Sequence, residues 1–392
     1  MSRPRLAVVG AGISGLTAAY LLRQTYHVTV FEREERLGGD AHTHEVPLDG
    51  QTAFVDSGFI VLNDRTYPLL RRLFDELGVT IRPTEMSMGI SCEGCGLAYV
   101  GGRGVRGIFA QRRRLFDPTF WRLLLSVRRF QRAASALLTD DSTSSLTYGD
   151  FLAANRFSQH FVEHYALPIV ACVWSSGRRD ALDYPAAYLF AFLAHHGFLD
   201  LGDAPEWYVV EGGSRAYVEA IRSRLSDVLT DDAVVSVERL DDGVTVTDAA
   251  GKGRRFDKIV LATHADEALA LLADATREEK EVLGAFGYST NVTQLHRDDT
   301  VLPRRTAERA SWNFHLDDCH QDTEHVQVSY WMNRLQHHPA AHPLVVTLNG
   351  TERVERGAVI ATMDYTHPTY TLGSVAAQRR LDELNTAQTT FA

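Results

Sequence analysis

Lysine is almost missing from this chain: Lys252, Lys258 and Lys280 stand against 37 arginines. The imbalance fits a GC-rich genome, and it leaves few candidates for chemistry that needs a lysine amine. Cysteine is also scarce. Cys92, Cys95, Cys172 and Cys319 do not form the pattern of a secreted disulfide framework, so a reducing, cytoplasmic setting is expected. No apolar run reaches the roughly 18 residues that a membrane span needs. The first strand begins within a few residues of Met1, which predicts no signal peptide. Excess positive charge is lacking as well, and a formal net charge of −10 speaks against nucleic acid as a partner. What is present is a 392-residue chain, 45% hydrophobic, long enough for a large core spread over two domains.

The most informative segment is the first. Leu6 to Val9 read as a short buried strand, and Gly10-x-Gly12-Ile13-Ser14-Gly15 makes a tight turn into a helix predicted from about Ser14 to Gln24. Glycines at this spacing let backbone N–H groups and a helix N-terminus approach a pyrophosphate. His27 to Phe31 form the next strand. Glu32, 17 positions after Gly15, ends that strand where an acid accepts a ribose hydroxyl. Strand, turn, helix and acid together predict dinucleotide binding.

A second signature narrows the dinucleotide to FAD. Arg36-x-Gly38-Gly39 lies just beyond the acid, where a nicotinamide dehydrogenase needs neither a base nor a glycine pair. Val55-Asp56-Ser57-Gly58-Phe59-Ile60 reads as a strand that brings backbone against the flavin ring.

The rest of the chain alternates between two kinds of material. The predicted units are an FAD-binding part over 1–65, a mostly helical substrate part over 66–205, and a second FAD-binding part over 206–275. A second substrate part covers 276–355, and a third FAD-binding part covers 356–392. The expected fold class is α/β: a discontinuous Rossmann-like FAD-binding domain with an inserted α+β substrate domain. Within it, apolar spacing predicts a helix over 67–78 and a hairpin over 90–100 turning at Glu93-Gly94. Residues 116–138 and 147–200 read as mostly helical, with breaks at Asp140–Ser145, Pro168 and Pro185. The strand at Val209-Val210 is expected to resume the nucleotide unit.

These residues together resemble the flavin-containing amine oxidase superfamily. They are more closely similar to bacterial NAD/FAD-binding proteins related to the flavin-oxidase region of plant cyclopropane fatty acid synthases. The stretches that carry the resemblance include VVGAGISGL (8–16), ERLGG (35–39), VDSGFIVLNDRTYP (55–68), GIFAQRRRLFDPTFW (107–121), VEGGSRAYV (210–218) and SYWMNRLQ (329–336). The resemblance implies a non-covalent FAD. Gly10, Gly12, Ile13, Ser14, Gly15, Glu32, Arg36, Gly38 and Gly39 would hold its ADP half, with Val235 at the adenine and Gly58, Phe59 and Ile60 along the isoalloxazine. It also implies, by association with cyclopropane synthases, an acyl-lipid substrate. Two departures stand out. Asp40 occupies a place where the superfamily usually carries a basic residue or histidine. The strand ending at Ala392 continues in relatives into a glycine-rich segment and a flavin-capping helix, so the last unit is expected to be a shortened one.

No catalytic residue emerges from the sequence. Relatives that oxidise amines often place a lysine near the flavin, yet no lysine follows Lys280, which sits in a charged helix. Residues 103–132 carry nine arginines and one acid, Asp117, interleaved with Phe116, Phe120, Trp121, Leu123 and Leu125. This pattern suits either an anionic membrane surface or acyl-carrier contact, or a core-packed helix with a solvated arginine face. His160-x-x-Glu163-His164 matches an inverted zinc-protease motif, but no third ligand is evident, and the reading is helix surface or pocket lining. Cys92-x-x-Cys95 reads as an ordinary turn, Gly102-x-Gly104-x-x-Gly107 lacks a following acid, and no metal site is expected. Tyr330, Trp331, Tyr365 and Tyr370 fit either a pocket or a core. Three readings follow: an FAD-dependent oxidoreductase acting on a carbon chain, an amine or amino-acid oxidase, and a non-catalytic binding module on the same fold.

Overall fold

The structure is a computed structural model describing residues 3–139, 145–174, 177–199, 204–319 and 326–392. Its fold class is α/β. A five-stranded parallel sheet forms one half, in the order Asp227–Leu229, His27–Phe31, Arg5–Val9, Lys258–Leu261, Thr389–Phe391. The strands come from three distant parts of the chain. Ala7, Val8 and Val30 are fully buried, as the central strands of a parallel sheet covered on both faces must be. One face carries helices Ile13–Leu22, Pro68–Leu77 and Arg215–Arg222, joined through Leu16, Ala19, Phe74, Tyr217 and Ile221. The other carries an antiparallel meander, Val234–Leu240, Gly243–Asp248 and Gly253–Phe256, with helices Ala265–Leu271 and Arg277–Leu283.

The second half is a seven-stranded sheet in the order Val359–Thr369, Gly287–His296, Val345–Leu348, Val328–Trp331, Trp312–Leu316, Met88–Cys92, Leu97–Gly101. Only the pair Trp312–Leu316 and Met88–Cys92 is parallel. Helices Pro118–Leu137, Tyr148–Ala154, Leu167–Trp174 and Ala186–His195 share its core. Phe130 is the hub of that layer, with Tyr148, Phe151, Phe157, Phe161, Tyr165 and Phe190 at ring-centroid distances of 5.6–6.2 Å.

Several local expectations change. The first helix runs Ile13–Leu22 and ends before Gln24. Strand Trp207–Val210 does not join the parallel sheet; it pairs antiparallel with Leu62–Asn63 and Ile81–Thr84. Strand Val359–Thr369 belongs to the seven-stranded sheet, because its long register with Gly287–His296 outweighs its closeness in sequence to the last parallel strand. Pro168 does not break the helical run. It is the second residue of helix Leu167–Trp174, and a π-turn over Val162–Ala166 precedes it. The carbonyl of His164, deprived of a backbone donor at Pro168, accepts a 2.7 Å hydrogen bond from the Tyr99 hydroxyl instead. In the expected break at Asp140–Ser145, residues 140–144 lie outside the described residues, as do His320 and His325.

Candidate functional site

A groove of about 1070 Å³ opens at the C-terminal ends of strands Arg5–Val9, His27–Phe31 and Lys258–Leu261. Ligands of open α/β sheets bind at such an edge. Gly10 has φ +95°, and a Cβ there would lie 2.4 Å from the Ala262 carbonyl oxygen. A Cβ at Gly15 would lie 2.0 Å from the Gly10 carbonyl oxygen, so the helix can approach the turn only without a side chain. Around Gly12 a Cβ would meet nothing within 4 Å, and this position faces open space in the groove.

Glu32 braces the turn. Its carboxylate accepts from the backbone N–H of Ala11 at 2.8 Å and of Glu34 at 3.0 Å. The second glycine turn docks on the first. Gly38 N–H donates to the Ala11 carbonyl at 2.8 Å, and Arg36 closes the turn by donating to the Gly39 carbonyl at 2.7 Å. Two backbones without side chains therefore line one cradle. This is the shape a pyrophosphate flanked by sugars requires, so the residues present fit a dinucleotide.

Of the residues expected at the cofactor, Gly10, Gly12, Ile13, Ser14, Glu32, Arg36, Gly38, Gly39 and Phe59 line this groove. Gly15 packs behind it. Gly58 crosses Asp40 closely: a Cβ there would lie 2.0 Å from the Asp40 carbonyl oxygen, which also accepts from Phe59 N–H at 2.8 Å. Ile60 is buried beneath the surface. Val235 is half exposed and is not among the groove-lining residues, whereas its neighbour Val234 is.

Sequence reasoning missed a polar network at one end of the groove. Tyr365 and His42 both line it, and the Tyr365 hydroxyl lies 3.0 Å from His42 Nδ1 and 2.7 Å from Ser57 Oγ. Ser57 Oγ continues to His44 Nε2 at 2.8 Å. Burial, then the Arg36 charge, pushes His42 down to about 3, and the same two causes lower His44. Both imidazoles are therefore uncharged at neutral pH. Burial pushes the Tyr365 phenol up to about 12, so it remains protonated. His264, another groove residue, stacks on Tyr288 with centroids 4.4 Å apart. Tyr365 stood in the sequence as one of four aromatics that fit a pocket or a core, and Ser57 within the Val55–Ile60 strand; nothing there joined them to His42 and His44.

Directly behind the network, Asp56 is buried and serves as a junction. Its Oδ1 accepts from Thr43 Oγ1 at 2.6 Å and from Ser214 N and Oγ at 2.8 Å each. Its Oδ2 accepts from Gln336 Nε2 at 2.7 Å. Burial still outweighs these bonds and raises the carboxyl to about 6.

The comparisons decide the family. A family model described as flavin containing amine oxidoreductase matches residues 13–355. The chain belongs to that family. Its cofactor is a flavin, and the double cradle fits the dinucleotide form, FAD. Among curated relatives, the flavin-dependent L-tryptophan oxidase of Lentzea aerocolonigenes is 28% identical over 271 residues, 64% of this chain and 55% of that protein. Coproporphyrinogen III oxidase of Mycobacterium tuberculosis (strain ATCC 25618 / H37Rv) is 28% identical over 305 residues, 68% of this chain and 60% of its own. The chain thus spans little more than half the length of these relatives. A putrescine oxidase structure superposes with TM-score 0.69 at 14% identity, covering 100% of this chain and 93% of that one. A CLA-producing fatty acid isomerase from P. acnes superposes with TM-score 0.66 at 17% identity, covering 99% and 93%. At these identities the structural likeness establishes the fold alone. Among the described residues, no helix is long and apolar enough to cross a membrane.

Other sequence signals resolve elsewhere in this family fold. Glu163 of the His160-x-x-Glu163-His164 motif is buried against Arg178 at 2.5 Å, so the motif does not present a two-histidine, one-carboxylate face. Gly102, Gly104 and Gly107 open a five-residue helix away from the groove. None of the three lysines lines the groove. Tyr370 stacks on Tyr188, and Tyr330 packs edge-on to Trp312.

Proposed function

We propose that the protein is an FAD-dependent oxidoreductase that removes two electrons from a carbon chain, with a fatty-acyl lipid as substrate. FAD, when bound, supplies the two-electron acceptor. The chain supplies placement. The amides of the Gly10–Gly15 turn and the N-terminus of helix Ile13–Leu22 hold the pyrophosphate, and Glu32 with its neighbouring turn fixes the ribose end. Uncharged His42 and His44, linked through Tyr365 and Ser57, add no second cation beside Arg36 at the far corner.

The observation that carries the lipid reading is a run of ring contacts that begins in the groove lining at Phe59 and Tyr67 and continues into the helical core. Phe59 contacts Tyr67 at 6.0 Å, Tyr67 contacts His196 at 6.2 Å, and His196 stacks on Phe192 at 3.9 Å. Phe192, Trp174, Tyr184 and Tyr370 continue it at 4.6, 5.0 and 5.4 Å. A groove end backed by rings suits an apolar chain better than a small charged amine. The arginine-rich segment adds support. Val105, Phe116, Trp121 and Leu125 are 75%, 88%, 45% and 65% exposed, beside exposed Arg106, Arg112, Arg113, Arg122, Arg128 and Arg129. Bare apolar side chains among arginines are what a peripheral contact with an anionic lipid surface uses.

The second reading, an amine or amino-acid oxidase, draws on relatives such as the flavin-dependent L-tryptophan oxidase and on Asp40 and Asp364 in the groove lining. Anaerobic mixing of the FAD-loaded protein with oleic acid, putrescine and L-amino acids separates the two. Bleaching of the flavin band by the acyl chain alone is expected; bleaching by amines or amino acids alone overturns the lipid reading. Sedimentation with phosphatidylglycerol vesicles, abolished by salt or by Phe116→Asp with Leu125→Asp, tests the surface. Equal binding to phosphatidylcholine vesicles would refute its electrostatic part.

A further inference from the structure

Four side chains of metal-ligand type, drawn from three distant parts of the chain, meet well away from the groove. Cys92 and Cys95 flank the turn between strands Met88–Cys92 and Leu97–Gly101. His164 comes from the π-turn Val162–Ala166, and Cys319 lies just beyond strand Trp312–Leu316. The three Sγ atoms and a ring nitrogen of His164 all lie within 4.8 Å of one another. Cys92 Sγ is 3.6 Å from Cys319 Sγ, and Cys95 Sγ is 3.4 Å from His164 Nε2.

Those two separations can be compared with a metal tetrahedron. Zn–S bonds of about 2.3 Å and Zn–N bonds of about 2.0–2.1 Å require S···S edges near ~3.8 Å and S···N edges near ~3.5 Å. Both observed edges fall within about 0.2 Å of these values, and every other separation in the cluster is within 4.8 Å.

The protonation pattern agrees with the geometry. His164 Nδ1 lies 2.9 Å from the His160 carbonyl oxygen. A carbonyl can only accept, so Nδ1 carries the proton and Nε2 offers its lone pair to the cluster. This is how a metal-bound histidine is oriented from behind. The backbone of His164 is held in turn by the Tyr99 hydroxyl on its carbonyl. Charge is balanced nearby: Arg113 and Arg114 each donate to the Gly96 carbonyl at 2.8 Å, on the cysteine turn itself. His164 and Cys92 are buried, while Cys95 is exposed and leaves a path for an ion to enter.

We propose that Cys92, Cys95, His164 and Cys319 bind one zinc ion as a closed, four-ligand structural site. Binding releases the three thiol protons, leaves His164 neutral, and yields a centre of net charge −1 beside the two arginines. With all four positions filled by protein, the ion has no place for a reacting water; it staples the hairpin, the helical layer and the exit of strand Trp312–Leu316.

The test uses the full chain, purified under reducing conditions from zinc-supplemented medium without chelator. Elemental analysis is expected to find one zinc per chain, lost in Cys319→Ser and in His164→Ala and retained in Cys172→Ala, whose thiol lies outside the cluster. Should the ligand variants fail to fold, Co²⁺ added to zinc-stripped wild type provides the independent measurement. Thiolate-to-cobalt charge-transfer absorption with tetrahedral ligand-field bands is expected. Zinc well below one per chain together with no cobalt spectrum overturns the site. So does full zinc retention in folded Cys319→Ser and His164→Ala.

Discussion

Asp56→Asn should make the protein less sensitive to pH, and the size of the effect can be worked from the site. Burial raises the Asp56 carboxyl from 3.8 to about 6. A carboxyl with a raised folded-state value binds its proton more tightly when folded. Its contribution is therefore fully present below the unfolded value and is lost as pH rises through the folded one. A shift of about two pH units corresponds to about 3 kcal/mol, of which about 2 kcal/mol falls between pH 4.5 and 7.5. Asparagine keeps Oδ1 as acceptor for Thr43 and Ser214, carries no charge, and meets a mismatch only at Gln336 Nε2. The difference in melting temperature between variant and wild type should therefore rise by about 2 °C from pH 4.5 to pH 7.5. Differential scanning fluorimetry of both proteins in matched buffers reads it. A difference that stays flat across this window would refute the argument that Asp56 is buried as an uneasy charge. Asp56→Ala differs from both, since it strands Ser214 N–H and Gln336 Nε2 without an acceptor and should destabilise at every pH by about 2–4 kcal/mol.

Two further substitutions probe the scaffold. Gly15→Ala places a Cβ 2.0 Å from the Gly10 carbonyl oxygen, so the helix must retreat from the turn; the purified variant should carry little flavin by its absorbance ratio, while far-ultraviolet circular dichroism stays near wild type. Arg239→Ala leaves Glu279, only 2% exposed, without the guanidinium that bonds it at 2.9 Å. A loss of about 3–5 kcal/mol is expected in urea unfolding, and a loss below about 1 kcal/mol would show that water reaches the carboxylate.

The nucleotide cradle was legible because its chemistry is local. Gly10, Gly12, Gly15 and Glu32 lie within one strand–turn–helix–strand passage, and the glycine requirement there is a backbone requirement that spacing records. The adenine end is less legible: the resemblance implies a backbone contact at Val235, and the residue that lines the groove there is its neighbour Val234. Strand Trp207–Val210 has the composition of a nucleotide-sheet strand, yet its partners are Leu62–Asn63 and Ile81–Thr84, chosen by tertiary packing. Cys92 and Cys95 looked like an ordinary turn because His164 and Cys319 are 69 positions beyond Cys95 and 227 beyond Cys92. The His42–Tyr365–Ser57–His44 chain joins residues up to 323 positions apart, and single histidines in a sequence carry no address.

The strand order of the parallel sheet also sets a timetable. Arg5–Val9 lies at its centre, yet Leu6 pairs with Lys258 and Ala262 N–H closes on the Val9 carbonyl. During synthesis at about 5–20 residues per second, the first glycine turn waits about 12–50 s for the wall it must press against. Lys258–Leu261 then keeps a bare edge until Thr389–Phe391 arrives to pair with it. FAD can recognise only the assembled cradle, so cofactor loading comes late in the life of the nascent chain, and the longest-exposed surface during that interval is the centre of the sheet.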